Sequence, residues 1–209
     1  MRIEDIDQDA VAEFFNMGMG QAAVALSDLM GCEVELSIPQ TIVVTYQDVP
    51  AALGADRDGS ICLIRESFSG EFAGDAILIF SEQSGLELLQ RLMPSFNGQP
   101  PAQMTDEEGE ALSEIGNIIL NGCLACFANL MSGEIHGASP HHRIGAPLPL
   151  LTDVIRQHGV ESEHVLLVRI DLTLSDTGSC CQTLFLLNLP ALESFSAAVM
   201  RFLTAQTSL

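Results

Sequence analysis

The sequence has 209 residues, 47% of them hydrophobic, and a formal net charge of −20. That length suits one domain with a proper core, and no run approaches 18 uninterrupted apolar residues, so a transmembrane span is excluded on this reading. Eight Lys and Arg against 28 Asp and Glu cannot build the basic stripe that nucleic acid requires, and they serve free nucleotide phosphates or an anionic membrane surface equally badly.

The opening residues MRIEDIDQDA are acidic and hold no apolar h-region, so no signal peptide is expected and the cytoplasm is the expected location. The first predicted helix follows, with Val11, Phe15, Ala22, Leu26 and Leu29 at helical spacing and Gly31 placed to end it. Pro39 then leads into strand territory. The runs GSICLIRES and AILIFS read as strands, and SGLELLQRLM as an amphipathic helix. The stretch PSFNGQPPAQ, residues 94–103, is rich in Pro, Gly and Asn and opens a connector over 94–105. A second long helix places Leu112, Ile115, Ile119, Cys123, Phe127 and Leu130 on one face, with Thr105 or Asp106 as its cap and Gly133 at its end. Beyond Pro140, the runs HVLLVRIDL and QTLFLLNL read as strands and LESFSAAVMRFL as a last helix.

Two segments of this chain repeat without gaps. Residues 13–39 align with 114–140 at a constant offset of 101: Glu13 with Glu114, Asn16 with Asn117, Leu29-Met30 with Leu130-Met131, Glu33 with Glu134, and Pro39 with Pro140. The rest of each half repeats in kind. The expected fold is therefore α+β: a single internally duplicated, pseudo-twofold domain over 1–209, with halves at about 9–93 and 106–205. Its long helices pack on a mostly antiparallel β-sheet.

At about 100° per residue, Asp9, Glu13, Asn16 and Gly20 share one stripe opposite the apolar face of the first helix. Glu110, Glu114, Asn117 and Asn121 share the matching stripe of the second. A solvated helix face is the ordinary reading of such residues. Repetition of the same Glu-x2-Asn pair in two otherwise diverged halves points further, since Asn is a mediocre residue inside a helix. Gly18 and Gly20 either pack the helix closely or leave room for another backbone.

The pattern Asp9-x3-Glu13-x2-Asn16-x22-Pro39 resembles the signature of the CheC, CheX and FliY phosphatases. So does Glu110-x3-Glu114-x2-Asn117-x22-Pro140, where Glu110 stands for the family's Asp or Ser. Two sites per chain, the EIGNII run around Asn117, and no match to FliY's switch domain make CheC the nearest likeness. The resemblance implies hydrolysis of the aspartyl phosphate on a chemotaxis response regulator of the CheY type. Asn16 and Asn117 would position the attacking water in the partner's pocket, and Glu13 and Glu114 would dock on the partner's lysine. Asp9, Gly20, Glu110 and Asn121 would border the partner. An amide suits this role because it accepts and donates hydrogen bonds without titrating. The divalent metal is supplied by the phosphorylated partner, and no cofactor is expected on this chain.

Other signals carry less. Cys123-x2-Cys126 lies inside a helix, without a second pair to complete a zinc site. The six cysteines show no disulfide-scaffold spacing and read as reduced, buried thiols. His141 and His142 lack a carboxylate arrangement typical of a metal site and read as a solvated loop, and Gly18-x-Gly20 does not follow a strand. Pro39 and Pro140 set turns. The competing function is a non-catalytic adaptor that binds CheY or the receptor deamidase CheD.

Overall fold

The computed structural model describes residues 8–45, 47–53, 59–93, 103–157, 164–175, 180–188, 195 and 199–201. In chain order the elements are α1 (Gln8–Met30), β1 (Val34–Leu36), β2 (Gln40–Thr45), α2 (Val49–Ala52), β3 (Ile61–Gly70), β4 (Gly74–Ser81) and α3 (Glu82–Leu92). They continue with α4 (Asp106–Met131), β5 (Ile135–Gly137), β6 (His141–Gly145), α5 (Pro147–Gln157), β7 (His164–Leu174) and β8 (Cys180–Asn188). The eight strands form one sheet in the order β1-β7-β8-β4-β3-β5, with β2 also on β7 and β6 also on β3. Every pairing among the described strands is antiparallel. This is the α+β architecture expected from the sequence.

The pairings interlock the two halves. β1 and β2 lie end to end along β7, Leu36 opposite Leu172 and Gln40 opposite Arg169. β5 and β6 lie in the same way along β3, Gly137 opposite Phe68 and His141 opposite Arg65. Each long helix thus hands its short strands to the other half's sheet, and β4 joins β8 in the middle, Ile77 opposite Leu184.

Side-chain alternation along the strands divides the apolar residues between two cores. From β3, Cys62, Ile64 and Phe68 enter the larger core under α1 and α4. Ile61 and Leu63 enter a second one with Val49, Leu150, Leu151 and Val154, contributed by α2 and α5. α5 was not legible as a helix in the sequence; Arg143 of β6 also ties it to the sheet through Asp153 at 2.9 Å. The larger core is centred on phenylalanines. Phe127 stacks on Phe14 with centroids 5.5 Å apart, and meets Phe15 at 4.8 Å and Phe185 at 5.3 Å. Such aromatic contacts add to the area they bury and fix the crossing of α1 over α4.

The helix faces agree with the spacing. Val11, Phe15, Ala22 and Leu26 are buried on α1, as are Leu112, Ile115, Ile119, Cys123 and Phe127 on α4, while Leu130 is half-buried. The side chain of Leu29 lies outside the described residues. By length and composition α4 could cross a membrane, which a count of uninterrupted apolar residues did not reveal; half of that window is buried inside the fold. α4 starts at Thr105, whose N–H donates to the Glu108 carboxylate at 2.9 Å and whose hydroxyl bonds the same oxygen. It ends at Ser132 rather than Gly133. Ser132 takes the left-handed conformation at φ 52°, as Gly31 does at φ 65° after α1, and Gly133 N–H closes on Ala128 O at 3.0 Å. Most of the connector and of the last predicted helix lies outside the described residues; of that helix, Phe195 and 199–201 are described and helical.

Candidate functional site

The helical pitch that sends Phe14 and Phe15 into the core turns Asp9, Glu13, Asn16 and Gly20 to the surface, and all four are exposed. A Cβ built on Gly20 would meet nothing within 4 Å, so the surface beside Asn16 is open. Gly18 differs. It is buried, and a Cβ there would overlap the edge of the Phe127 ring, with Leu130 Cδ1 at 3.4 Å. The two neighbouring glycines thus divide the two readings of the sequence: one packs the helix crossing, the other borders open space.

On α4, Glu110, Glu114 and Asn121 are exposed and Asn117 is half-buried. Asn117 is not free to rotate. Asn121 Nδ2 donates to Asn117 Oδ1 at 2.7 Å and to the Asn117 main-chain oxygen at 2.9 Å. Ile118, beside Asn117, keeps half of its surface exposed and gives this stripe an apolar neighbour. Pro39 is buried and Pro140 half-buried, each in the residue before β2 or β6, which fits their setting the entry of a strand.

One residue near the second stripe was missed by sequence reasoning. Glu66 of β3 is fully buried on the face that carries Cys62, Ile64 and Phe68 into the core. Neither of its carboxylate oxygens has a hydrogen bond of full geometry. Burial pushes its pKa up to about 7, while a side-chain hydrogen bond with Asn121 pulls the other way. A Cβ on Gly137 would overlap Glu66 Oε1 and stand 3.0 Å from Asn121 Oδ1, so these three residues are close-packed. The alternation of CLIRESF was the available signal: a Glu occupies a position whose parity belongs to the core.

Cys123 and Cys126 lie on α4, while His141 and His142 stand in strand β6 opposite Arg65 and Ile64 rather than in a loop. Cys123 is fully buried and its thiol is pushed up to about 12 by burial; burial also raises Cys126, so neither is an activated thiolate. Among the described residues, no group of three or more His, Cys, Asp or Glu is placed to hold a metal ion.

Comparisons with known proteins point one way. Residues 6–43, the stretch with Glu13, Asn16 and Pro39, match the model of the CheC-like family. The chain is 24% identical over 130 residues, 62% of its length, to CheC1 of Halobacterium salinarum, a protein provisionally named a CheY-P phosphatase; the match spans 65% of that relative's length. The fold is shared with Thermotoga maritima FliY at a TM-score of 0.71 and 14% identity, over 97% of this chain and 98% of that one. It is also shared with the Borrelia burgdorferi CheX–CheY–BeF3–Mg complex at 0.53 and 11%, over 85% and 99%. The middle domain of Helicobacter pylori FliM has it too, at 0.60 and 10%, over 91% and 96%. The family to which the residues pointed, that of CheC, CheX and FliY, is the one these matches support.

Proposed function

We propose that this chain hydrolyses the aspartyl phosphate of a CheY-type response regulator, using Asn16 and Asn117 to position water and Glu13 and Glu114 to dock on the partner. The observation that carries this reading is geometric. Two Glu-Asn pairs at i, i+3 sit on two long helices whose opposite faces are locked into one phenylalanine core. A side chain inserted into another protein's pocket must be held to within a fraction of an ångström, and a packed helix does that better than a loop. Two further facts support it: a relative carries a CheY-P phosphatase name, and a CheX of the same fold was solved with CheY, BeF3 and Mg.

In this reaction a water oxygen forms the new P–O bond as the bond to the aspartyl oxygen breaks. The products are the Asp carboxylate and inorganic phosphate, and the water's proton passes to the phosphate. The partner's lysine and divalent metal neutralise the developing charge, so what remains is placing the water in line. The carboxamides of Asn16 and Asn117 accept from that water without ionising. Glu13 and Glu114, one turn earlier, meet the partner's lysine and fix the register. The cytoplasm, where response regulators work, is the matching location.

An adaptor that binds CheY or CheD without catalysis is the second reading. It is favoured by the occurrence of the same fold in the FliM middle domain. The test is decay of a phosphorylated CheY-type receiver domain with and without this chain. Acceleration should vanish when Asn16→Ala and Asn117→Ala are combined, with binding retained. Glu13→Ala and Glu114→Ala should instead weaken binding. A combined Asn variant that still accelerates decay refutes the catalytic assignment, and binding without acceleration by the wild type selects the adaptor.

A further inference from the structure

Glu66 takes no part in the chemistry above, yet it lies beneath the second site, and the other half of the molecule shows that the fold does not need it. β5 meets β3 as β1 meets β7: Gly137 stands opposite Phe68, and Leu36 opposite Leu172. Two residues before Phe68 is Glu66, and two before Leu172 is Ile170, which is fully buried in the apolar core. The same place in the sheet is thus filled by a hydrocarbon in one half and by a carboxyl in the other. A buried carboxyl without a full hydrogen bond is destabilising, and departures of this kind gather where function requires them. Two more substitutions accompany it. Gly137, opposite Phe68, stands where the first half has Leu36 and leaves room for the Glu66 carboxyl, and Asn121 stands where α1 has Gly20.

We propose that Glu66 is a positioning residue for Asn117: it steers the carboxamide of Asn121, and Asn121 holds the carboxamide that places the attacking water at the second site. This rests on the phosphatase reading of Asn117. The interaction that lowers the Glu66 pKa is one in which the Asn121 amide N–H faces the carboxyl, and the Asn121 carboxamide stands beside Glu66 Oε1 over Gly137. Held against the carboxyl on that side, Asn121 also turns its Nδ2 to Asn117, donating to Oδ1 at 2.7 Å and to the main-chain oxygen at 2.9 Å. The amide plane of Asn117 is then fixed, and a water finds its Nδ2 and the remaining lone pair of Oδ1. The first site has no such support, since Gly20 carries no side chain. The neutral and the ionised carboxyl of Glu66 both keep an acceptor oxygen for the Asn121 amide.

The experiment isolates each site. In an Asn16→Ala background only the second site acts, and in an Asn117→Ala background only the first. Glu66→Leu in the first background should lower the maximal dephosphorylation rate about tenfold, as loss of an orienting partner commonly does, with affinity for the phosphorylated regulator changed less than about twofold. Glu66→Gln, which keeps a carbonyl acceptor, should restore the rate to within about threefold. In the second background Glu66→Leu should change the rate less than about twofold. The side-chain amide 1H–15N signals of Asn117 and Asn121 give a readout independent of activity: both should move in Glu66→Leu. Equal losses in the two backgrounds, no loss in either, or unmoved amide signals would overturn the proposal. Failure of the phosphatase reading looks different, because the combined Asn variant would then decay the phosphorylated regulator as fast as the wild type.

Discussion

Gly18 and Gly20 are two residues apart on one helix, and the structure assigns them opposite signs on replacement by alanine. In both cases the alanine gains about 1 kcal/mol of helix propensity. At Gly20 nothing lies within 4 Å of the new methyl, so the gain stands and Gly20→Ala should stabilise by up to about 1 kcal/mol. At Gly18 the methyl would overlap the Phe127 ring. That ring cannot turn aside easily, since it is fully buried and packed against Phe14, Phe15 and Phe185. Overpacking of this kind costs roughly 1–3 kcal/mol, and a ring so enclosed belongs at the upper end. The net expectation for Gly18→Ala is a loss of about 2 kcal/mol, so the two variants should differ by about 3 kcal/mol. For a chain of this size that separates their thermal midpoints by roughly 6–12 °C. Circular dichroism at 222 nm with thermal and urea denaturation measures both. A Gly18→Ala variant as stable as Gly20→Ala would refute the placement of Phe127 against α1, and with it the helix crossing that holds the two stripes in place.

Glu66 predicts the pH dependence of stability. Its carboxyl is raised from 4.5 to about 7 in the folded chain, so its contribution is fully present below about pH 4.5 and is lost as pH rises to about 7, where the slope ends. A shift of about 2.5 pH units corresponds to about 3 kcal/mol; urea unfolding of wild type and Glu66→Gln at pH 5 and 8 should show the gap shifting in favour of the variant at the higher pH. Ser132 holds a left-handed backbone at φ 52° on an exposed helix end; Ser132→Gly should stabilise by about 1 kcal/mol, and a destabilised variant in the same assay would contradict that conformation.

What could be read from the sequence followed from two periods and one offset. The apolar residues of α1 and α4 recur at helical spacing strongly enough to fix both helices and the faces they bury, because each is long and its core residues are large. The central strands announced themselves as apolar runs for a related reason: β3, β4, β7 and β8 are covered on both faces, so alternation gives way to continuous hydrophobicity. The shorter pieces were not legible. β1 and β5 have three residues each, too few for a period, and their pairing with the opposite half's strand is a long-range event that local patterns do not encode. α5 was hidden by its own composition, since Pro147 and Pro149 read as loop residues, although Pro at the first helical positions is compatible with a helix and Leu150, Leu151 and Val154 supply the buried face. The stripe residues were found because chemistry was sought in polar residues repeated at one offset. Glu66 escaped the same search because it has no repeat: its counterpart is Ile170. That asymmetry carries the most information about the two sites. Shared residues indicate what both stripes have in common, whereas the unshared acid, with Gly137 and Asn121 around it, is the feature from which we propose a fixed orientation for the second carboxamide. On the proposed phosphatase reading, rigidity favours the second site in rate, and the open surface at Gly20 favours the first in access.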